Sequence, residues 1–240
     1  MKTESYEYRD QSSVLEGYIA WDDERSGRRA GVLVFHEWMG ITDHERRACN
    51  DLANVGYLAL AGDIYGKGDR PTGQNQAAQY ADRYRTGDRA LMRRRAQAAL
   101  AALRAHPLCD STRIAAIGFC FGGTVALELA RSGADLKGVA TFHAGLGTPR
   151  PASSAGVIKA KILALHGADD PYVPPPEVVA FQDEMRKSGA DWQFVQQGGA
   201  VHSYTNEAAG NDPGKGFAYN ERAARRSWRM MLTFFDEILS

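Results

Sequence analysis

"TRIAAIGFCFGGTVALELA", residues 112–130, is the stretch that decides the fold. An apolar run containing Ile114 and Ile117 stops at Gly118-Phe119-Cys120-Phe121-Gly122-Gly123, and a helical pattern follows at once. A strand that passes directly into a helix needs a sharp corner, and small residues on either side keep neighbouring backbone clear of the residue at its tip. That residue is Cys120. The corner also puts the N–H of Phe121 at a helix start, where unsatisfied amides and the helix dipole favour both a thiolate and an oxyanion. Taken alone, Gly-x-Cys-x-Gly is equally compatible with a small buried hydrophobe and glycines that serve close packing. The strand before it and the helix after it favour a nucleophile.

Outward from this corner the chain alternates between short apolar runs and helical patterns. Strands are expected over residues 29–36, 57–61, 114–117, 137–142, 161–166 and 192–196. Helices are expected from residue 43 to a stop at Gly56, over 80–105 with a break near Gly87, and over 122–132, 175–188 and 217–239. Residues 63–75, rich in glycine and turn formers, read as a loop. Alternating strands and helices imply βαβ units, hence an α/β fold with a mostly parallel central sheet covered by helices on both faces. A chain of 240 residues suits one such domain over 1–240.

Composition narrows the partners. Twenty-nine basic and 29 acidic residues cancel, so no net field invites nucleic acid or an anionic membrane. No apolar run approaches the roughly 20 residues that span a bilayer, and the N-terminus lacks the apolar core of a signal peptide. The expectation is a cytoplasmic protein, a monomer or small homo-oligomer acting on a small molecule. Three cysteines, Cys49, Cys109 and Cys120, without CxxC spacing argue for reduced thiols rather than a disulfide framework or zinc cluster. Cys49 reads as a helix residue and Cys109 as a turn residue, both structural. His36-Glu37 lacks the second histidine of H-E-x-x-H, since Gly40 stands in its place. No metal and no cofactor are expected.

In a parallel sheet, ligands bind beyond the carboxyl ends of the strands. The groups there are His36 and Glu37, Asp63 and Tyr65, Cys120, His143, Asp169 or Asp170, and His202 past the last strand. A nucleophile needs a base, and the base an orienting carboxylate. The order nucleophile, acid, histidine is available as Cys120, then Asp169 or Asp170, then His202. His166 at a strand end reads as structural, His143 as either structural or pocket-lining, and His44 and His106 as surface residues. Trp38, Tyr65 and Tyr204 are candidates for an aromatic pocket wall, with Tyr84 assigned to the core.

Four ordered motifs, "HEWMG", "GFCFGG", "HGADDPYV" and "AVHSY", together make the chain resemble the dienelactone hydrolase family of the α/β-hydrolase fold, from about Gly31 to Phe235. The resemblance implies Cys120 as nucleophile, Asp170 rather than Asp169 as the acid, and His202 as base. It further implies Glu37 as a glutamate near the resting thiol that helps ionise it, and the backbone N–H groups of Trp38 and Phe121 as the oxyanion hole. The implied activity is hydrolysis of activated esters or lactones through a thioester.

One departure bears on the substrate. The family's namesake substrate carries a carboxylate held by two arginines, and Asn206 stands where one of them is expected; Arg83, Arg85 and Arg89 are all candidates for the other. An asparagine cannot replace the bidentate contact of a guanidinium, so a more neutral substrate is expected. Tyr65, His143, Tyr204 and Asn206 are the expected substrate-binding residues. Two other readings of Cys120 are attack on activated phosphotriesters in the same pocket and thiol redox sensing without catalysis.

Overall fold

The computed structural model describes residues 1–152 and 154–240. Its strands are β1 (Lys2–Asp10), β2 (Ser13–Trp21), β3 (Arg29–Phe35), β4 (Leu58–Gly62), β5 (Cys109–Phe119), β6 (Gly138–Phe142), β7 (Lys161–Gly167) and β8 (Trp192–Gln197). They form one sheet in the order β1-β2-β4-β3-β5-β6-β7-β8. β3 to β8 run parallel, β2 pairs antiparallel with β4, and β1 pairs antiparallel with β2. The helices are α1 (Asp43–Asn54), α2 (Gln74–Arg85), α3 (Ala90–Ala105), α4 (Phe121–Arg131), α5 (Pro175–Ser188) and α6 (Glu221–Leu239). This is the mostly parallel α/β-hydrolase architecture. None of the helices among the described residues is long and apolar enough to cross a membrane.

Strand alternation explains the layering. Leu33, Phe35, Leu58, Leu60, Ile114 and Ala116 face one core with Tyr84, Leu100, Val125 and Phe181 from α2 to α5. Their neighbours Val32, Val34, Ala59, Ala61, Ala115 and Ile117 face the other, against Cys49 and Leu52 of α1 and Met231 and Phe235 of α6. Both faces are covered, so the central strands read as continuous apolar runs. Each fully buried Leu, Ile or Phe adds about 1.5–3 kcal/mol.

The structure departs from the sequence reading at several boundaries. The β1–β2 hairpin lies outside the expected strands: β1 carries mostly exposed polar residues, and burial in β2 alternates from Leu15 to Ile19 before Ala20 and Trp21 are buried as well. β5 begins at Cys109, which therefore lies in a strand rather than a turn. α2 begins at Gln74, inside the expected loop. α6 begins at Glu221 because Phe217 bridges to His202 and the Asn220 side chain caps the helix by accepting from the Ala223 N–H. His44 and His106 are half-buried rather than surface residues, packing against Phe119 and against Tyr6 and Trp21.

Candidate active site

At the end of β5 the chain makes the corner that the glycines require. Cys120 has φ 49° and ψ −113°, a strained conformation for a residue with a side chain, and α4 starts at the next residue. A Cβ at Gly118 would lie 2.0 Å from the Gly122 carbonyl oxygen, and one at Gly122 would lie 2.1 Å from that of Phe35. Both positions therefore need glycine for backbone packing. The Cys120 N–H is shared between the Phe142 carbonyl at 3.0 Å and His143 Nδ1 at 3.2 Å.

The β7 and β8 ends supply the partners. Asp170 Oδ2 lies 2.7 Å from His202 Nδ1, and its other oxygen accepts the Tyr172 N–H at 2.9 Å. Asp170 is buried, whereas Asp169 is exposed, its backbone N–H tied to the Ala200 carbonyl. Gly167 permits the close approach of that loop, since a Cβ there would meet the Ala200 oxygen at 2.6 Å. Burial pushes the His202 pKa down, but the charge of Cys120, hydrogen bonds to Asp170 and Cys120, and the Asp170 charge outweigh it and hold the ring well above its ordinary value. Such a ring, backed by a carboxylate and facing a sulfur, can exchange a proton with that sulfur. Burial pushes the Cys109 thiol up to about 11 and raises that of Cys49 further, so neither resembles an activated nucleophile.

The Trp38 amide, after β3, and the Phe121 amide, at the first position of α4, donate to no acceptor among the described residues. The Glu37 carboxylate is buried. Its Oε2 accepts from the Asn206 side-chain amide, its Oε1 lies 3.4 Å from the Ser203 hydroxyl and 4.0 Å from His143 Nδ1, and burial raises its pKa.

The residues expected to contact substrate fare differently. Tyr204 does not line a pocket: it is fully buried and its hydroxyl meets Ser227 of α6 at 3.0 Å. The left-handed Ser203, φ 53°, turns the chain so that the next side chain points inward. His143 is fully buried as well. It lies behind Cys120, with Nε2 at 2.7 Å from the Thr205 hydroxyl, and burial holds its pKa well below the ordinary value, so it braces rather than binds. Asn206 is engaged with Glu37. Tyr65 is buried under Phe121 with its hydroxyl on the Trp38 carbonyl, 2.9 Å away.

Three neighbours went unassigned in the sequence. Tyr172, 57% exposed, sets its ring edge-on to His202 at 5.3 Å, at the mouth of the site. Thr205 links His143 to His44. Arg85, half-buried, holds its guanidinium 5.5 Å over the Phe121 ring and pairs with no carboxylate among the described residues. Arg89 is engaged by Glu128 and the Gly147 carbonyl, and Arg83 lies over Tyr84.

Comparison with known proteins identifies relatives along the whole chain. Residues 15–239 match the model of the dienelactone hydrolase family. A solved dienelactone hydrolase-like promiscuous phosphotriesterase from metagenomic libraries is 43% identical, with a TM-score of 0.94, covering 100% of this chain and 99% of its own. An uncharacterized protein of Caenorhabditis elegans is 37% identical over 146 residues, 60% of this chain and 91% of that protein. Protein usf of Aquifex pyrophilus is 26% identical over 245 residues, 98% of each chain.

Proposed function

This chain belongs to the dienelactone hydrolase family and is an ester and lactone hydrolase, and on that premise we propose that Cys120 is its nucleophile, His202 its base and Asp170 the carboxylate that orients the base. The observation that carries the proposal is the strained Cys120 corner facing a histidine whose far nitrogen lies 2.7 Å from a buried carboxylate. In the first half-reaction the thiolate attacks the ester carbonyl, the Trp38 and Phe121 amides receive the oxyanion, and His202 passes its proton to the leaving alkoxide. The thioester then loses its acyl group to a water deprotonated by His202. A thiol redox sensor without catalysis, one of the two other readings of Cys120, is separated from the hydrolase by esterase activity that is lost in Cys120→Ala.

The substrate is an activated ester or lactone with little or no anionic character. Asn206 supplies no cation and is occupied by Glu37, which leaves Arg85 as the one guanidinium near Phe121 without a carboxylate partner among the described residues. One arginine gives a weak preference, since a single charge-assisted contact at a half-exposed site contributes about 1 kcal/mol or less. Matched carboxylated and neutral esters with the same leaving group are expected to differ by less than about tenfold in kcat/KM. Arg85→Ala should erase that difference by raising KM for the carboxylated ester alone. Steady-state kinetics on the matched pair checks this, and equal losses on both esters would remove Arg85 from substrate recognition.

A second reading is favoured by the 43% identical neighbour described as a promiscuous phosphotriesterase. The same thiolate would attack an activated phosphotriester, expelling the aryloxide and leaving a phosphorylated sulfur that water must clear. Turnover beyond one equivalent of released phenol supports it. A stoichiometric burst with no further turnover would make phosphotriesters inhibitors only.

A further inference from the structure

The backbone that carries the Trp38 amide is held from three sides. The Glu37 N–H donates to Glu45 Oε1 at 3.0 Å, the Glu37 carbonyl lies 2.6 Å from His36 Nδ1 and also accepts the Gly40 N–H of its own turn at 3.2 Å, and the Trp38 carbonyl accepts from the Tyr65 hydroxyl at 2.9 Å. Each holder is itself fixed. Glu45 belongs to the capping box of α1, its second oxygen accepting from the Thr42 N–H and hydroxyl at 2.8 Å each. Tyr65 is buried against His36 and Phe121. The remaining ring nitrogen of His36, Nε2, accepts the Ile64 N–H at 3.1 Å.

That last bond determines the tautomer. His36 is fully buried and burial lowers its pKa, so the ring is neutral and carries one proton. With Nε2 accepting, the proton is on Nδ1 and is donated to the Glu37 carbonyl. In a trans peptide the C=O and the following N–H point in opposite directions. Fixing the Glu37 oxygen on His36 therefore aims the Trp38 N–H the other way, and that N–H has no partner among the described residues.

We infer that His36, together with Glu45 and Tyr65, is a positioning clamp that aims the Trp38 amide at the developing oxyanion. The inference rests on the hydrolase reading of the site above. His36 touches neither substrate nor sulfur in this role; it acts through the peptide it holds. Loss of a well-aimed oxyanion donor costs about 10²–10³ in kcat, and a misplacement of about 1 Å costs about 10².

The test uses the full chain with three single variants. His36→Phe removes the donor and keeps a ring, His36→Asn returns an N–H donor close to the place of Nδ1, and Tyr65→Phe removes only the hydroxyl. Four quantities are measured: kcat and KM on a p-nitrophenyl ester, the affinity for a trifluoromethyl ketone that adds to the thiolate and leaves an oxyanion, and the rate of Cys120 alkylation by iodoacetamide. Expected are falls in kcat of about 10²-fold for His36→Phe and about tenfold for Tyr65→Phe, with KM within about twofold, and partial recovery in His36→Asn. Ketone affinity should fall in step with kcat, while alkylation, which builds no oxyanion, stays at the wild-type rate.

Unchanged kcat and ketone affinity in Tyr65→Phe and in folded His36→Phe would overturn the clamp, as would alkylation falling in parallel with kcat. If His36→Phe does not fold, Tyr65→Phe decides by the same criteria. A wild-type protein with turnover but no ketone adduct on Cys120 would overturn Cys120 as the nucleophile of this site, and the clamp with it. That outcome is recognised without any variant.

Discussion

Asp170→Asn is expected to lower kcat/KM for a p-nitrophenyl ester by about 10⁴-fold with little change in thermal stability. The carboxylate is buried and spends one oxygen on His202 and the other on the Tyr172 N–H. An amide of the same shape can keep the Tyr172 bond, but it removes the negative charge that helps hold the His202 pKa up, so that pKa should move toward its ordinary value. The amide can also present its NH₂ to His202 and favour the tautomer with the proton on the wrong nitrogen, a change known to cost about 10⁴ in rate in a comparable triad. Asp169→Asn is the control. Asp169 is exposed, so its exchange should leave kcat/KM within about twofold. If the Asp169 variant lost activity and the Asp170 variant kept it, the assignment of the acid would be reversed.

Gly122→Ala is expected to destabilise the protein by about 3 kcal/mol or more, a drop of roughly 6–12 °C in Tm for a chain of this size. The added Cβ would lie 2.1 Å from the Phe35 oxygen and 2.3 Å from the Phe35 carbonyl carbon, both backbone atoms of a central strand with no room to yield. Relief requires β3 and α4 to separate, which would open the corner that places Cys120 and disturb the adjoining Trp38 peptide. Gly73→Ala, at a position with nothing within 4 Å of an added Cβ and an extended φ of −172°, should be nearly neutral. Thermal denaturation of the two variants beside wild type checks the contrast. A Gly122 variant as stable as wild type would mean that the corner relaxes more easily than its geometry implies.

The corner was legible because glycine is required there for a local reason that sequence displays: backbone crosses backbone at Gly118 and Gly122. The central parallel strands were legible for a similar reason, since burial on both faces gives uninterrupted apolar runs. The β1–β2 hairpin was harder to read because β1 faces solvent along most of its length and signals itself only through weak alternation. Residues 36 and 37, 120, 169 or 170, and 202 could be placed at neighbouring strand ends from chain order, and it is Asp170 that lies against His202, 2.7 Å away. The direction in which a side chain leaves its loop was not legible. Tyr204 turns into the core because Ser203 takes φ 53°, and His143, at φ 42°, is folded behind the nucleophile. Arg85 escaped assignment for a different reason: three arginines lie within seven residues, and only the packing of α2 on Phe121 distinguishes them.

The most direct test of the account is to quench wild-type protein within milliseconds of mixing with an activated ester, and to map the mass adduct beside Cys120→Ala. An acyl group on Cys120 that forms and decays at rates matching turnover, with neither adduct nor turnover above about 10⁻³ of wild type in the variant, is the predicted result. An acyl group on any other residue, or turnover that survives in Cys120→Ala, would contradict the assignment of the nucleophile.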